Sequence, residues 1–162
     1  MDFPYQDYHL SLQEMGLSDL STILVIEEEC HSHPWKEAHF ISSIKSSHQC
    51  SILKDAQNIV GYAITSTAAD EAELLNITIA KPYQQQGLGK QLLEYLCQSF
   101  EPSIGTLFLE VRESNVAAIA LYDSLHFNEV GKRSNYYPVD TALTKAHSIK
   151  NREDAIIMAK TL

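Results

Sequence analysis

Two glycines in a short polar segment are the first residues of this chain whose spacing suggests a ligand. The segment runs from Gln84 to Lys90 and reads Gln-Gln-Gln-Gly-Leu-Gly-Lys. Alternating, branched residues from Leu74 to Ala80 precede it and indicate a strand, and leucines at helical spacing follow it. Unobstructed backbone N–H groups at the positive end of a helix dipole bind anions. The segment is therefore predicted to hold a pyrophosphate, the alternative being a tight turn.

Two common phosphate loops do not fit the segment. A Walker A loop needs glycine five residues before Gly89 and Ser or Thr after Lys90, where this chain has Gln84 and Gln91. A dinucleotide fingerprint needs glycine at the position of Leu92. The pattern that remains is Gln-x-x-Gly-x-Gly.

Two ionisable side chains farther along the chain are suited to proton transfer. Glu110 lies in the apolar run 107–111, which would desolvate its carboxylate, so that it is a candidate general base. The hydroxyl of Tyr122 carries a proton at neutral pH and is a candidate general acid. On the residues alone, two alternatives stay open: a solvent-facing carboxylate paired with Arg112, and a core-facing tyrosine.

Hydrophobic periodicity predicts the elements that must position these residues. Helices are expected after Ser18-Asp19, after Pro34-Trp35, after the glycine segment and after Asn115, which is a plausible N-cap. Strands are expected at 8–15, 50–53, 59–67, 72–80, 106–111, 128–136 and 154–159. The order predicts one α/β domain over 1–162, with a mixed sheet and helices on both faces.

Composition limits the class of protein. The chain has 162 residues, enough for one core, and no apolar run long enough to cross a bilayer. Its net charge of −9 argues against nucleic-acid binding and suits a cationic partner, although it also favours solubility. The first residues lack a basic region followed by an apolar one, so the cytoplasm is the default location.

Cysteine and histidine residues near position 30 raise the question of a metal. Cys30, His31, His33 and His39 are close in sequence, but no second ligand pair has zinc spacing. No metal is therefore expected. The three cysteines are odd in number and far apart, which indicates reduced thiols.

Several segments together give the chain a family resemblance. The Gln-x-x-Gly-x-Gly pattern resembles the acyl-coenzyme A loop of the GCN5-related N-acetyltransferases (GNAT). More specific segments are similar to the branch that acetylates the N-terminal alanine of ribosomal proteins. They are Glu-Val-Arg-Glu-Ser-Asn at 110–115, Ala-Leu-Tyr at 120–122, and the segments 33–35, 76–79, 135–138 and 152–158.

The resemblance implies a fold, a reaction and a set of site residues. It implies a mostly antiparallel twisted sheet with a β-α-β-α coenzyme-binding core, and direct acetyl transfer from acetyl-CoA to a protein N-terminus in a ternary complex. Lysine or small-amine acetylation, or a non-catalytic acetyl-CoA-binding module, are the alternatives. Glu110 would accept a proton and Tyr122 would donate one. The remaining roles are coenzyme contacts by Ile77, Thr78, Ile79, Gln85, Gln86, Gly87, Leu88, Gly89, Lys90 and Asn115, and an acceptor groove at Tyr136 and Tyr137.

The chain departs from the family pattern at two places. His126 stands where the family usually has glycine after a helix, and a left-handed conformation there would cost histidine about 1 kcal/mol. The polar segment 139–151 resembles an insertion beside the acceptor groove and is expected to be a surface loop.

Overall fold

The computed structural model describes residues 8–139 and 152–162. Within these residues the chain forms two compact units, one made of residues up to Thr67 with Leu74–Phe100, the other of Ala68–Glu73 with Glu101–Leu162. The described elements are β1 Leu10–Glu14, α1 Leu20–Cys30, α2 Glu37–Lys45, β2 Gln49–Asp55, β3 Asn58–Ala68, β4 Glu71–Ile79, α3 Leu88–Ser99, β5 Thr106–Arg112, α4 Val116–Ser124, β6 Asn128–Pro138 and β7 Arg152–Thr161.

The first unit has the strand order β1-β2-β3-β4. β2 pairs antiparallel with β1 and with β3, and the β2–β3 hairpin turns at Ala56, whose φ is 51°. The predicted strands all form, extended by one or two residues at some ends and shortened by one or two at others. Such shifts are expected because strand ends are set by pairing and not by periodicity.

Helices α1 and α2 cover the apolar core of the first unit. α1 buries Leu20, Ile23 and Ile26, which recur at helical spacing. Phe40 of α2 is fully buried and meets Tyr62 of β3 edge to face, with ring centroids 5.6 Å apart. Packing of this kind fixes where both helices lie on the strands that carry the core.

Gly61 allows β3 and β4 to come unusually close. A Cβ atom at this position would lie 2.6 Å from Ile79 Cδ1 and 2.8 Å from the backbone oxygen of Thr78. Any other residue would therefore push on the part of β4 where coenzyme contacts are predicted.

The second unit contains β5, β7 and β6, in that spatial order, joined by antiparallel pairing. β5 pairs with β7 in regular register, whereas β6 pairs with β7 with register shifts between Glu129 and Gly131 and between Arg133 and Tyr137. Helix α4 follows β5, and the Asn115 side chain accepts a hydrogen bond from the Ala118 N–H at 3.2 Å. The α/β class, the mostly antiparallel pairing and the Asn115 cap are thus confirmed.

Helix α4 ends in a left-handed residue, as expected at His126. The φ of His126 is 65°, its N–H donates to the Asp123 oxygen, and the Phe127 N–H donates to the Tyr122 oxygen. The rings of Tyr122 and Phe127 pack with centroids 5.7 Å apart. These bonds and this contact form a Schellman motif, which ordinarily uses glycine at the position of His126. Residues 140–151, most of the suggested insertion, lie outside the described residues.

We expect His126→Gly to raise the free energy of unfolding by about 1 kcal/mol, because glycine adopts positive φ without a Cβ penalty. Urea denaturation at constant pH measures the change. His126→Ala is the matched control, since alanine removes the ring and keeps the Cβ atom. A glycine variant no more stable than the alanine variant would contradict the strain argument.

Candidate active site

The glycine segment occupies the junction between β4 and α3 in the first unit. After β4, a short 3₁₀ turn at Lys81–Tyr83 leads into the segment. The Gln84 side-chain amide donates to the Ile79 oxygen at 2.8 Å, and the Gln86 amide donates to the Pro82 oxygen at 2.9 Å. Two of the three glutamine side chains therefore brace the loop backbone.

Gly87 is the N-cap of α3 and has a φ of 82°. The first bond within the helix is donated by the Gln91 N–H to the Gly87 oxygen at 3.1 Å. The N–H groups of Leu88, Gly89 and Lys90 precede that bond and have no acceptor within the helix. A twelve-residue helix with this start has N–H groups and the positive end of its dipole at the glycine segment, and helix ends of this kind bind anions.

The last residues of β4 lie in the same unit as this loop. Thr78 is buried, while Ile77 and Ile79 are half-buried. The Thr78 hydroxyl contacts His31 Nε2 at 2.8 Å and Asn76 Oδ1 at 3.3 Å. The Thr78 hydroxyl is therefore engaged within the protein.

A buried carboxylate on α1 supports this strand, and the sequence reasoning missed it. Glu27 is 2% exposed. It accepts hydrogen bonds from the Trp35 N–H at 2.8 Å, from the Tyr62 hydroxyl, and from the Asn76 amide at 3.4 Å. Burial and the nearby Glu27 charge raise the pKa of Tyr62 above its ordinary value. Glu27 lies seven residues after Leu20, on the apolar face of α1, and that position was the available signal.

Glu27→Ala should lower the free energy of unfolding by about 3 kcal/mol, because it leaves several buried donors without an acceptor. The neighbouring Glu28 is exposed on the same helix, so Glu28→Ala is a matched control expected to change stability by less than about 0.5 kcal/mol. Chemical denaturation of both variants measures the difference. Equal losses of stability in the two variants would show that the buried hydrogen bonds of Glu27 do not stabilise the fold.

The predicted base lies in the second unit and is held by an arginine. Glu110 on β5 has a side chain that is 18% exposed, and its Oε1 lies 2.9 Å from Arg133 Nε. Arg112, the partner considered as an alternative, has its Nη1 2.8 Å from Glu153 Oε1. Glu110 is therefore neither free in water nor fully enclosed.

Tyr122 lies in the second unit too, on α4. It is 6% exposed, and burial, followed by the neighbouring Tyr137, raises its pKa to about 12. A hydroxyl with this pKa keeps its proton throughout the neutral range, as a proton donor must.

The tyrosine pair near the end of β6 lies beside Glu110. The rings of Tyr136 and Tyr137 meet edge to face at 5.0 Å, and Tyr136 is 41% exposed. Burial, followed by the charge of Glu110, raises the pKa of Tyr137. The second unit thus groups Glu110, Tyr122, Tyr136 and Tyr137, whereas the Asn115 side chain caps α4.

The histidines near Cys30 do not converge. His31 Nε2 lies 3.4 Å from Glu27 Oε2, and His39 Nδ1 accepts from the Lys36 N–H at 3.0 Å. Over residues 8–139 and 152–162, no group of three or more His, Cys, Asp or Glu side chains is arranged to hold a metal. No helix in the same ranges is long and apolar enough to span a membrane.

Comparison with known proteins defines the class of this chain. The sequence model of the acetyltransferase (GNAT) family matches residues 20–127. The chain therefore belongs to the GNAT family of acyltransferases. It is 42% identical over 150 residues to the ribosomal protein bS18-alanine N-acetyltransferase of Escherichia coli K12, covering 92% of this chain and 95% of that protein. Its counterpart of the same name from Haemophilus influenzae is 36% identical over 149 residues, covering 91% and 96%.

Solved structures agree with this assignment. The crystal structure of the ribosomal-protein-S18-alanine N-acetyltransferase from Escherichia coli matches with a TM-score of 0.81 and 41% identity, covering 94% of this chain and 93% of that one. A GNAT acetyltransferase from Elizabethkingia anophelis with acetyl-CoA bound matches with a TM-score of 0.73 over 97% of this chain and all of that one. At 17% identity, the second match bears on the fold alone.

Proposed function

We propose that residues 1–162 form one N-acetyltransferase domain that acetylates the N-terminal α-amine of a ribosomal protein beginning with alanine, the counterpart of bS18. The grouping of Glu110, Tyr122, Tyr136 and Tyr137 in one unit carries this proposal. The 42% identity to the Escherichia coli enzyme supports the choice of substrate.

The first unit fits the coenzyme. The N–H groups of the segment 85–90 would hold the pyrophosphate, because Gly87 orients them and the dipole of α3 adds positive potential. The backbone of 77–79 would line the pantetheine, with Asn115 as a further contact. Acetyl-CoA supplies an activated acyl group as a thioester when it is bound. The residues on this chain therefore need no covalent nucleophile.

Glu110 would accept the proton that the amine must lose. An α-amino group has a pKa of about 7.7–8.0, against about 10.4 for lysine, so it needs less help from a base than lysine does to become neutral at pH 7. The Arg133 contact occupies Oε1 of Glu110 and supports the use of Oε2 for the amine. Tyr122 would protonate the departing thiolate, because its hydroxyl holds a proton at neutral pH.

The acceptor would lie beside the tyrosine pair. Tyr136 and Tyr137 offer ring faces at right angles, interplanar 81°, next to the proposed base. The net charge of −9 favours a peptide that carries positive charge. A substrate of this kind is made in the cytoplasm, which is the location we propose, with no nucleic acid or membrane as partner.

Mass spectrometry of acetyl transfer tests the substrate class. We expect label from acetyl-CoA on the N-terminus of peptides beginning with Ala, and less on those beginning with Ser or Gly. An N-terminally blocked peptide containing lysine is the control and should stay unlabelled. Label on lysine alone would assign the protein to the lysine acetyltransferases, and binding without transfer would make it a coenzyme-binding module.

Substitution of the two proton-transfer residues tests the mechanism. Glu110→Gln and Tyr122→Phe should each lower kcat by about a hundredfold or more, since general acid–base groups contribute that much. Acetyl-CoA affinity, measured by calorimetry, should stay near the wild-type value. Turnover at the wild-type rate in both variants would remove the assigned roles.

A further inference from the structure

Tyr136 and Tyr137, the two tyrosines of the proposed acceptor site, each pack against an arginine that is paired with a carboxylate. Arg133 pairs with Glu110 at 2.9 Å and stacks on Tyr136, with its guanidinium 5.2 Å from the ring centroid. Arg112 pairs with Glu153 at 2.8 Å and stacks on Tyr137 at 4.4 Å. In each case a carboxylate fixes a guanidinium, and the guanidinium lies over a ring face.

The backbone that carries the tyrosines is an irregular part of β6. Arg133 pairs with Ala155 and Tyr137 pairs with Glu153, so residues 134–136 stand opposite Asp154 alone. We call residues 134–136 the β6 bulge. Asn135 has a φ of 52°, and its N–H donates to Asp154 Oδ1 at 2.8 Å. A bulge of this kind re-aims side chains and needs its own hydrogen bonds.

Three consecutive residues of β7 supply these bonds. Arg152 Nη2 donates to the Tyr136 oxygen at 2.7 Å, and Asp154 receives the Asn135 N–H. Glu153 acts through Arg112, whose Nη1 also donates to the Pro138 oxygen at 2.8 Å. The Arg-Glu-Asp sequence therefore holds the tyrosine segment on both sides of Tyr137.

Each carboxylate oxygen of Glu153 has a hydrogen-bond donor, Arg112 for Oε1 and Ser114 for Oε2. Its side chain is 13% exposed, and its Oε2 accepts the Ser114 N–H at 3.2 Å. Burial alone would raise the pKa of this carboxyl, but hydrogen bonds from Arg112 and Ser114 outweigh burial and lower it. The carboxylate thus stays charged at neutral pH and holds Arg112 in one position over Tyr137.

We propose that Glu153 is a positioning residue for the acceptor peptide, acting through Arg112 to set the ring of Tyr137. This inference rests on the proposed function, in which the tyrosine pair receives the substrate. Loosening the pair should weaken peptide binding far more than coenzyme binding, because the glycine segment lies in the other unit.

Steady-state kinetics with Glu153→Ala and Glu153→Gln tests the proposal. We expect the KM for an Ala-starting peptide to rise about tenfold in Glu153→Ala. A change of this size corresponds to the lower end of the free energy lost with a charge-assisted hydrogen bond. The KM for acetyl-CoA and kcat should change by less than about twofold. Glu153→Gln keeps an acceptor for Ser114 and Arg112, so its KM for the peptide should rise less. This variant also tests the proposal if the alanine variant does not fold.

Glu129→Ala on β6 is the matched control, because it removes an exposed carboxylate 3.9 Å from Lys132 and should leave every constant unchanged. An active wild type whose peptide KM is unaffected by both Glu153 variants would overturn the positioning role alone. An equal change in both KM values would indicate general loosening and also overturn it. A wild type that acetylates no amine would overturn the proposed function as well.

Discussion

The first unit depends on one charged group that has been removed from water. A carboxylate is expensive to bury, and Glu27 is tolerated because backbone and side-chain donors from the α1–α2 connection, β3 and β4 surround it. The same hydrogen bonds fix the position of the end of β4 relative to α1. Gly61 separately lets β3 approach the backbone of Thr78, whose oxygen would lie 2.8 Å from a Cβ atom at position 61. The position of the strand before the glycine segment follows from these two constraints together.

The second unit must keep Tyr136 and Tyr137 ordered, although Tyr136 is exposed and Tyr137 is only half-buried. An exposed aromatic ring has few neighbours to fix it, so stacked guanidinium groups take the place of a core. Each guanidinium would itself be mobile without the carboxylate that fixes it. Glu110 therefore serves two ends: it is the proposed base, and it anchors Arg133 over Tyr136.

Periodicity and capping chemistry predicted the helices, the strands and the Asn115 cap, because each is determined by residues near one another in sequence. The left-handed conformation of His126 was expected from the family resemblance, which places glycine there. Glu27 was missed because a polar residue on an apolar face carries no sign of its partners. The Glu110–Arg133 pair was missed because β7 lies between β5 and β6, so the contact depends on the registers of two strand pairs. Alternation gives the face of a strand and not its register.

Gly87 has a consequence for how such a protein can diversify. Its positive φ directs main-chain N–H groups, so the proposed pyrophosphate site is defined by backbone conformation, which the Gln84 and Gln86 side chains support. The proposed acceptor site consists instead of side chains on an irregular strand. Replacing a few residues of β6 and β7 could therefore change which peptide is accepted, in evolution or by design. The glycine segment and its proposed coenzyme binding would stay the same.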